Sequence, residues 1–210
     1  MENEVKEPAA KFNFVSPEDY LVMERASDTK HEYYKGEVFA MSGASNQHNF
    51  IASNLNMFIG PHAHGKGCKL FGSDFRVHIP ANTLYTYPDF TIVCGDNLSS
   101  LLHTDNLAAP SVIIEILSKS TADYDRGTKF SFYREIATLK EYILIDSTKI
   151  SVEMFSKQHD GKWLLSEYKN IADSDDRSSN LFQRNFFSYS SMLTSSYTSF
   201  SRRVRLIVVI

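Results

Sequence analysis

The chain has 210 residues, enough to bury one substantial core, so length argues for one domain with at most an appendage. Its 42% hydrophobic and 22% charged residues are an ordinary globular balance, and no stretch approaches the roughly 18 apolar residues of a membrane span. The formal net charge of −3 excludes binding to nucleic acid by a generally basic surface, so any DNA contact must come from a local patch or a metal ion.

Residues 1–13 form a polar leader without the apolar run of a secretory signal. Ser16-Pro17-Glu18-Asp19 predicts a helix start, with Ser16 as N-cap and Pro17 in the first turn. From His31 to Met41, Lys35-Gly36 separates two aromatic or β-branched runs, which predicts a β-hairpin. Between Asn46 and about Pro61, Phe50, Ile51, Leu55, Phe58 and Ile59 recur at helical spacing, with Gly60-Pro61 and Gly65-Gly67 expected to close that helix. His62 and His64 then read as loop residues, since they lack partners at ligand spacing.

Residues 68–80 alternate as one strand would, and Tyr87 to Cys94 reads as another. Ser111 to Leu117 is an apolar, β-branched run suited to a central strand. A helix is expected from Ser120 or Thr121 to about Ile136, with Asp123 closing a capping box on Ser120. Strands follow at Glu141 to Asp146, Ser151 to Phe155 and Trp163 to Tyr168, with Gly161 in the last hairpin. This order predicts an α/β (α+β) domain over residues 14–171: a mixed sheet flanked by helices, preceded by a helix and a hairpin. Residues 172–210 are a Ser-rich tail that does not fit the domain pattern. Only Cys68 and Cys94 are present, so no disulfide framework is expected, Cys-rich zinc sites are excluded, and a reduced, cytoplasmic setting is the default.

The chemistry centres on two carboxylates. Asp89 follows Tyr87-Pro88 at a strand start, and Glu115 lies among apolar neighbours from Val112 to Leu117. An ionised carboxylate in such a strand is costly to bury unless a cation compensates it. If the strands are neighbours, the two acids and the Ile116 backbone carbonyl offer oxygen donors to a hard divalent ion. The alternative is a structural pairing of Glu115 with Arg76 or Arg126. Asp125, Lys129 and Tyr133 lie on one helical stripe beside Phe130 and Ile136, which lets Lys129 reach back over the sheet. Glu37, after the Gly36 turn, is either a candidate third acid or an exposed strand residue, and His48 is either an assisting residue or a capping or surface histidine.

Several segments together resemble a known family: Gly36 to Gly43, His48, Ser73-Asp74-Phe75-Arg76-Val77, Tyr87-Pro88-Asp89, Glu115-Ile116-Leu117-Ser118, Tyr124-Asp125-Arg126-Gly127, Lys129-Phe130, Tyr133-Arg134 and Glu141-Tyr142. The set is similar to the Uma2 group of the PD-(D/E)XK nuclease superfamily. That resemblance implies a restriction-endonuclease-like fold and a Mg2+-dependent endodeoxyribonuclease, with Mn2+ as a substitute and DNA as substrate. It implies Asp89 and Glu115 as metal ligands, together with the Ile116 carbonyl. Leu117 stands where the superfamily motif has lysine, and the resemblance passes that role to Lys129. It also admits a homodimer and, as the alternative function, an inactive nuclease fold that binds DNA or protein. The tail departs from the family's ending, as a disordered segment or an altered reading frame would.

Overall fold

A computed structural model describes residues 14–95, 97, 106–107 and 109–169. The first helix, α1 (Pro17–Ala26), starts as predicted: the Ser16 hydroxyl accepts the Asp19 N–H at 3.1 Å, and Pro17 occupies the first turn. Strands β1 (His31–Tyr34) and β2 (Glu37–Ala40) form the predicted hairpin. Its turn needs two left-handed residues, Lys35 at φ 48° and Gly36 at φ 95°. The Phe14 ring packs where a Cβ on Gly36 would stand, a second reason for glycine there.

Helix α2 (Asn46–Gly65) does not stop at Gly60-Pro61 but runs through Pro61, so His62 and His64 are helical rather than loop residues. The buried stripe Leu55, Ile59 and Ala63 carries the helix past the proline, an instance of packing outweighing a local breaker. The predicted strand 68–80 is two strands, β3 (Cys68–Gly72) and β4 (Arg76–Ile79), parted by a turn in which the Phe75 N–H meets the Gly72 carbonyl at 3.2 Å. They enter different sheets. The remaining strands are β5 (Leu84–Thr86), β6 (Phe90–Cys94), β7 (Asn106–Leu107), β8 (Val112–Leu117), β9 (Glu141–Asp146), β10 (Val152–Lys157) and β11 (Trp163–Tyr168).

One sheet has the order β2-β1-β5-β4-β7 and the other β11-β10-β9-β8-β6-β3. Both are mixed, with parallel pairs at β4–β7 and β8–β9 and antiparallel pairs elsewhere. Strands β5 and β6 are consecutive yet belong to different sheets, and Tyr87-Pro88-Asp89 is the crossing point. Pro88 has no N–H to give a ladder, which suits a place where pairing changes hands.

All of β8 is buried, and its faces divide the core. Val112, Ile114 and Ile116 pack with Leu55 and Ile59 of α2. Ile113 and Leu117 face Phe130, Tyr133, Tyr142 and Leu144, and Glu115 shares that second face by strand alternation. The second face is covered by the segment expected as one regular helix. It is α3 (Ala122–Tyr124), a π-helical turn (Asp125–Lys129) and α4 (Phe130–Tyr133). The expected capping box is absent: Thr121 makes no side-chain cap, and the Ser118 hydroxyl accepts the Thr121 N–H instead, at 3.3 Å.

Cys68 and Cys94, from which no disulfide framework is expected, are joined in a disulfide between directly opposed residues of β3 and β6. The reason is register: the pair is one rung of the ladder, with Cα atoms 4.1 Å apart. Reduction is expected to cost roughly 2–4 kcal/mol, measured as a lower urea midpoint with a dithiol reductant than without; equal midpoints would refute it. Among the described residues no helix is long and apolar enough to cross a membrane. The tail at 172–210 lies outside the described residues.

Candidate active site

The site forms where the two sheets meet. Asp89 stands at the crossing between β5 and β6, and Glu115 on β8 lies beside it: the Asp89 N–H is 3.4 Å from Glu115 Oε2. The ladder between β6 and β8 ends at the Phe90–Ile114 pair. The Ile116 N–H therefore turns to Asp89 Oδ2 at 2.7 Å. The two acids predicted from the sequence thus converge. The other oxygen of Asp89 meets His48 Nε2 at 2.9 Å. His48 comes from the first turn of α2, where its own N–H is held by the Ser45 cap at 3.2 Å.

Lys129 enters from the π turn. Its Nζ lies 2.9 Å from Glu115 Oε1, 3.4 Å from Glu32 Oε1 and 3.7 Å from Asp125 Oδ1. Glu115 is therefore paired with this lysine rather than with an arginine: Arg76 binds the Tyr87 hydroxyl at 2.8 Å and Arg126 binds Glu153. The Tyr133 hydroxyl donates to Glu115 Oε1 at 2.8 Å. Asp125, Lys129 and Tyr133 share a face as their spacing predicts, but the connecting turn is π rather than α.

Glu37 does not join this group. It is exposed on β2, opposite Tyr34. The third acid is Glu32, one strand over, which the Thr86 hydroxyl also holds. Glu32 is not singled out by the sequence, because its partners are distant in the chain; the only signal is that it alternates with Tyr34 on one face of β1. Among the described residues no three His, Cys, Asp or Glu side chains stand as an all-protein metal cage.

Three carboxylates, Glu32, Glu115 and Asp125, thus share one ammonium in a largely buried space, and Asp89 stands beside Glu115 on His48. Burial raises the pKa of Glu115 strongly. Lys129 opposes that rise, while Asp89 and Asp125 add to it. Asp125 is raised for the same first reason, its burial. Burial works against the Lys129 ammonium, but Glu115, Glu32 and Asp125 outweigh it and raise its pKa well above the ordinary value. The lysine is charged, and Glu115 and Asp125 retain protons to higher pH than separate carboxyls would.

The sequence profile of the Uma2 family, described as "Putative restriction endonuclease", matches residues 17–186. The chain belongs to the Uma2 family. Two Synechocystis relatives, the uncharacterized proteins slr1290 and sll1609, are 35% and 36% identical over 162 and 153 residues, spanning 77% and 71% of this chain and 84% of each relative. A crystal structure of a "putative nuclease belonging to DUF820" from Anabaena variabilis has the same fold, with a TM-score of 0.61 at 16% identity over 90% of this chain and 99% of that one. The Uma2 assignment and the shared fold agree with the expected restriction-endonuclease-like class.

Proposed function

We propose that this Uma2 protein is a metal-dependent endonuclease that hydrolyses phosphodiester bonds in DNA. The observation that carries the reading is the excess of buried carboxylate over cation around Lys129. Such an excess is unfavourable in low dielectric unless protons or a metal ion relieve it. The donor set fits a hard divalent ion: Asp89, Glu115 and the Ile116 carbonyl would hold Mg2+ or Mn2+, and water or substrate phosphate would complete the shell. When bound, the ion would supply charge stabilisation to the phosphodiester and activate a water.

The chain's own residues divide the remaining work. His48 and the Ile116 N–H fix the Asp89 carboxylate by one oxygen each. Tyr133 and Lys129 do the same for Glu115 Oε1, so both carboxylates are oriented before substrate arrives. Lys129, held as an ammonium, can donate but cannot accept a proton. Its role is to orient the attacking water and to stabilise negative charge on the phosphate, not to act as a base.

The test is nicking of supercoiled plasmid by purified protein with Mg2+ or Mn2+. Wild type is expected to nick only with the metal, and Asp89→Ala is expected to lose activity by on the order of 10²-fold or more. Equal activity in the two proteins would refute the assignment. Metal-independent nicking would refute the ion's role.

A further inference from the structure

We infer that Arg126 is a positioning residue for Lys129, acting through Glu153 of β10; the catalytic consequence rests on the nuclease reading above. Lys129 reaches the carboxylates from the end of a π turn over Asp125–Lys129. Such turns are rare and occur mostly as single-turn bulges at functional sites, so what holds this one in place bears on Lys129. The turn's own sequence supplies little, because Gly127 sits at its centre and a Cβ there would touch nothing within 4 Å.

Two ties to the sheet supply the support. The Tyr142 hydroxyl donates to the Asp125 carbonyl at 3.0 Å. Arg126 forks onto Glu153, with Nε at 2.9 and 3.1 Å from the two carboxylate oxygens and Nη2 at 2.7 Å from Oε1. Asp146 at the end of β9 adds a longer contact to Nη2 at 3.9 Å. A fork of this kind fixes orientation as well as distance. It holds the turn from the side, one residue after Asp125 and three before Lys129, so slack at Arg126 passes directly to the lysine.

Arg126 is about a third exposed, and Glu153 less so. A pair this close to solvent contributes modestly to global stability. Its loss should therefore displace Lys129 without unfolding the domain, which separates positioning from a structural role.

The experiment compares wild type with Arg126→Gln, Glu153→Gln, Arg126→Lys and the exchanged pair Arg126→Glu/Glu153→Arg. The first readout is acetylation of Lys129 by acetic anhydride, measured by peptide mass spectrometry against the exposed Lys149 and Lys162. Lys129 should be protected in wild type, several-fold more reactive in both glutamine variants, intermediate in Arg126→Lys, and protected again in the exchanged pair. The second readout is plasmid nicking with Mg2+, where the glutamine variants should lose at least about tenfold in kcat with KM within about twofold of wild type.

Unchanged Lys129 reactivity in both glutamine variants would overturn the proposal. So would unfolding of all four variants, which would make the pair a structural tie. If wild type fails to nick DNA while Lys129 reactivity responds as stated, the nuclease reading falls and the positioning role stands.

Discussion

Replacing Lys129 with methionine is expected to remove nicking by on the order of 10²–10³-fold and to destabilise the domain by roughly 3–5 kcal/mol. Methionine fills nearly the same space, so the effect isolates the charge. Lys129 is the ammonium that Glu115, Glu32 and Asp125 share, and its side chain is only 7% exposed. Without it the carboxylates face one another in low dielectric, the situation in which breaking a buried pair costs more than the pair was worth. The melting temperature should fall by roughly 6–20 °C, scaling the free-energy loss by 2–4 °C per kcal/mol for a chain of this size.

Two further measurements separate charge from packing. Carboxyls whose folded pKa is raised are most stabilising below their unfolded pKa, and they lose that contribution as pH rises towards the folded value. Glu115 and Asp125 are both raised, so Lys129→Met should fall further behind wild type as pH rises. Mn2+ should also raise the melting temperature of the variant, because the ion restores positive charge to the cluster. A variant that melts and nicks like wild type would remove Lys129 from the site.

Much of this was legible in the sequence because strand and helix periodicity are local. The Pro88-Asp89 step and the apolar run around Glu115 placed two acids on adjacent strands, and the Asp125, Lys129, Tyr133 spacing placed the lysine on the same face. What failed depended on partners distant in the chain. The strand predicted over 68–80 has unbroken alternation, but its halves pair with β6 and β5 in different sheets, and no local pattern records that choice. Pro61 reads as a stop signal, and only the sheet beneath Leu55, Ile59 and Ala63 overrides it. Glu32 was missed for the same reason. Its role comes from Thr86 and Lys129, residues 54 and 97 positions away, whereas the attractive feature of Glu37 was a turn next door. The disulfide is not legible because a count of two cysteines carries no register.

Glu141→Gln is expected to make the domain more stable at pH 8, by roughly 2–4 kcal/mol, and to leave nicking unchanged. Glu141 opens β9, between Val112 of β8 and Ser156 of β10, and is 1% exposed. By alternation it shares a face with Ile143 and Ile145, opposite the face that carries Glu115. Neither carboxylate oxygen has a hydrogen-bond partner among the described residues, and neither does the Ser156 hydroxyl facing it across the ladder. Burial pushes its pKa up to about 8, against a smaller opposing pull from Lys140.

The sign follows from where the proton is lost. Unfolded chain releases it near 4.5, whereas folded chain keeps it to about 8. Between those values the folded state binds more protons, so wild-type stability falls with rising pH by up to about 1.4 kcal/mol per unit from this group alone. Above about 8 the loss is complete. Glutamine has nearly the same shape, never ionises, and brings two N–H donors within reach of the idle Ser156 oxygen. Glu115 gives both proteins a common pH slope, so the difference between them isolates Glu141. Urea midpoints at pH 5, 6.5 and 8 should converge at the acid end and separate at the alkaline end, with the variant above. Curves that stay parallel across that range would mean that Glu141 already has its charge compensated in the folded protein.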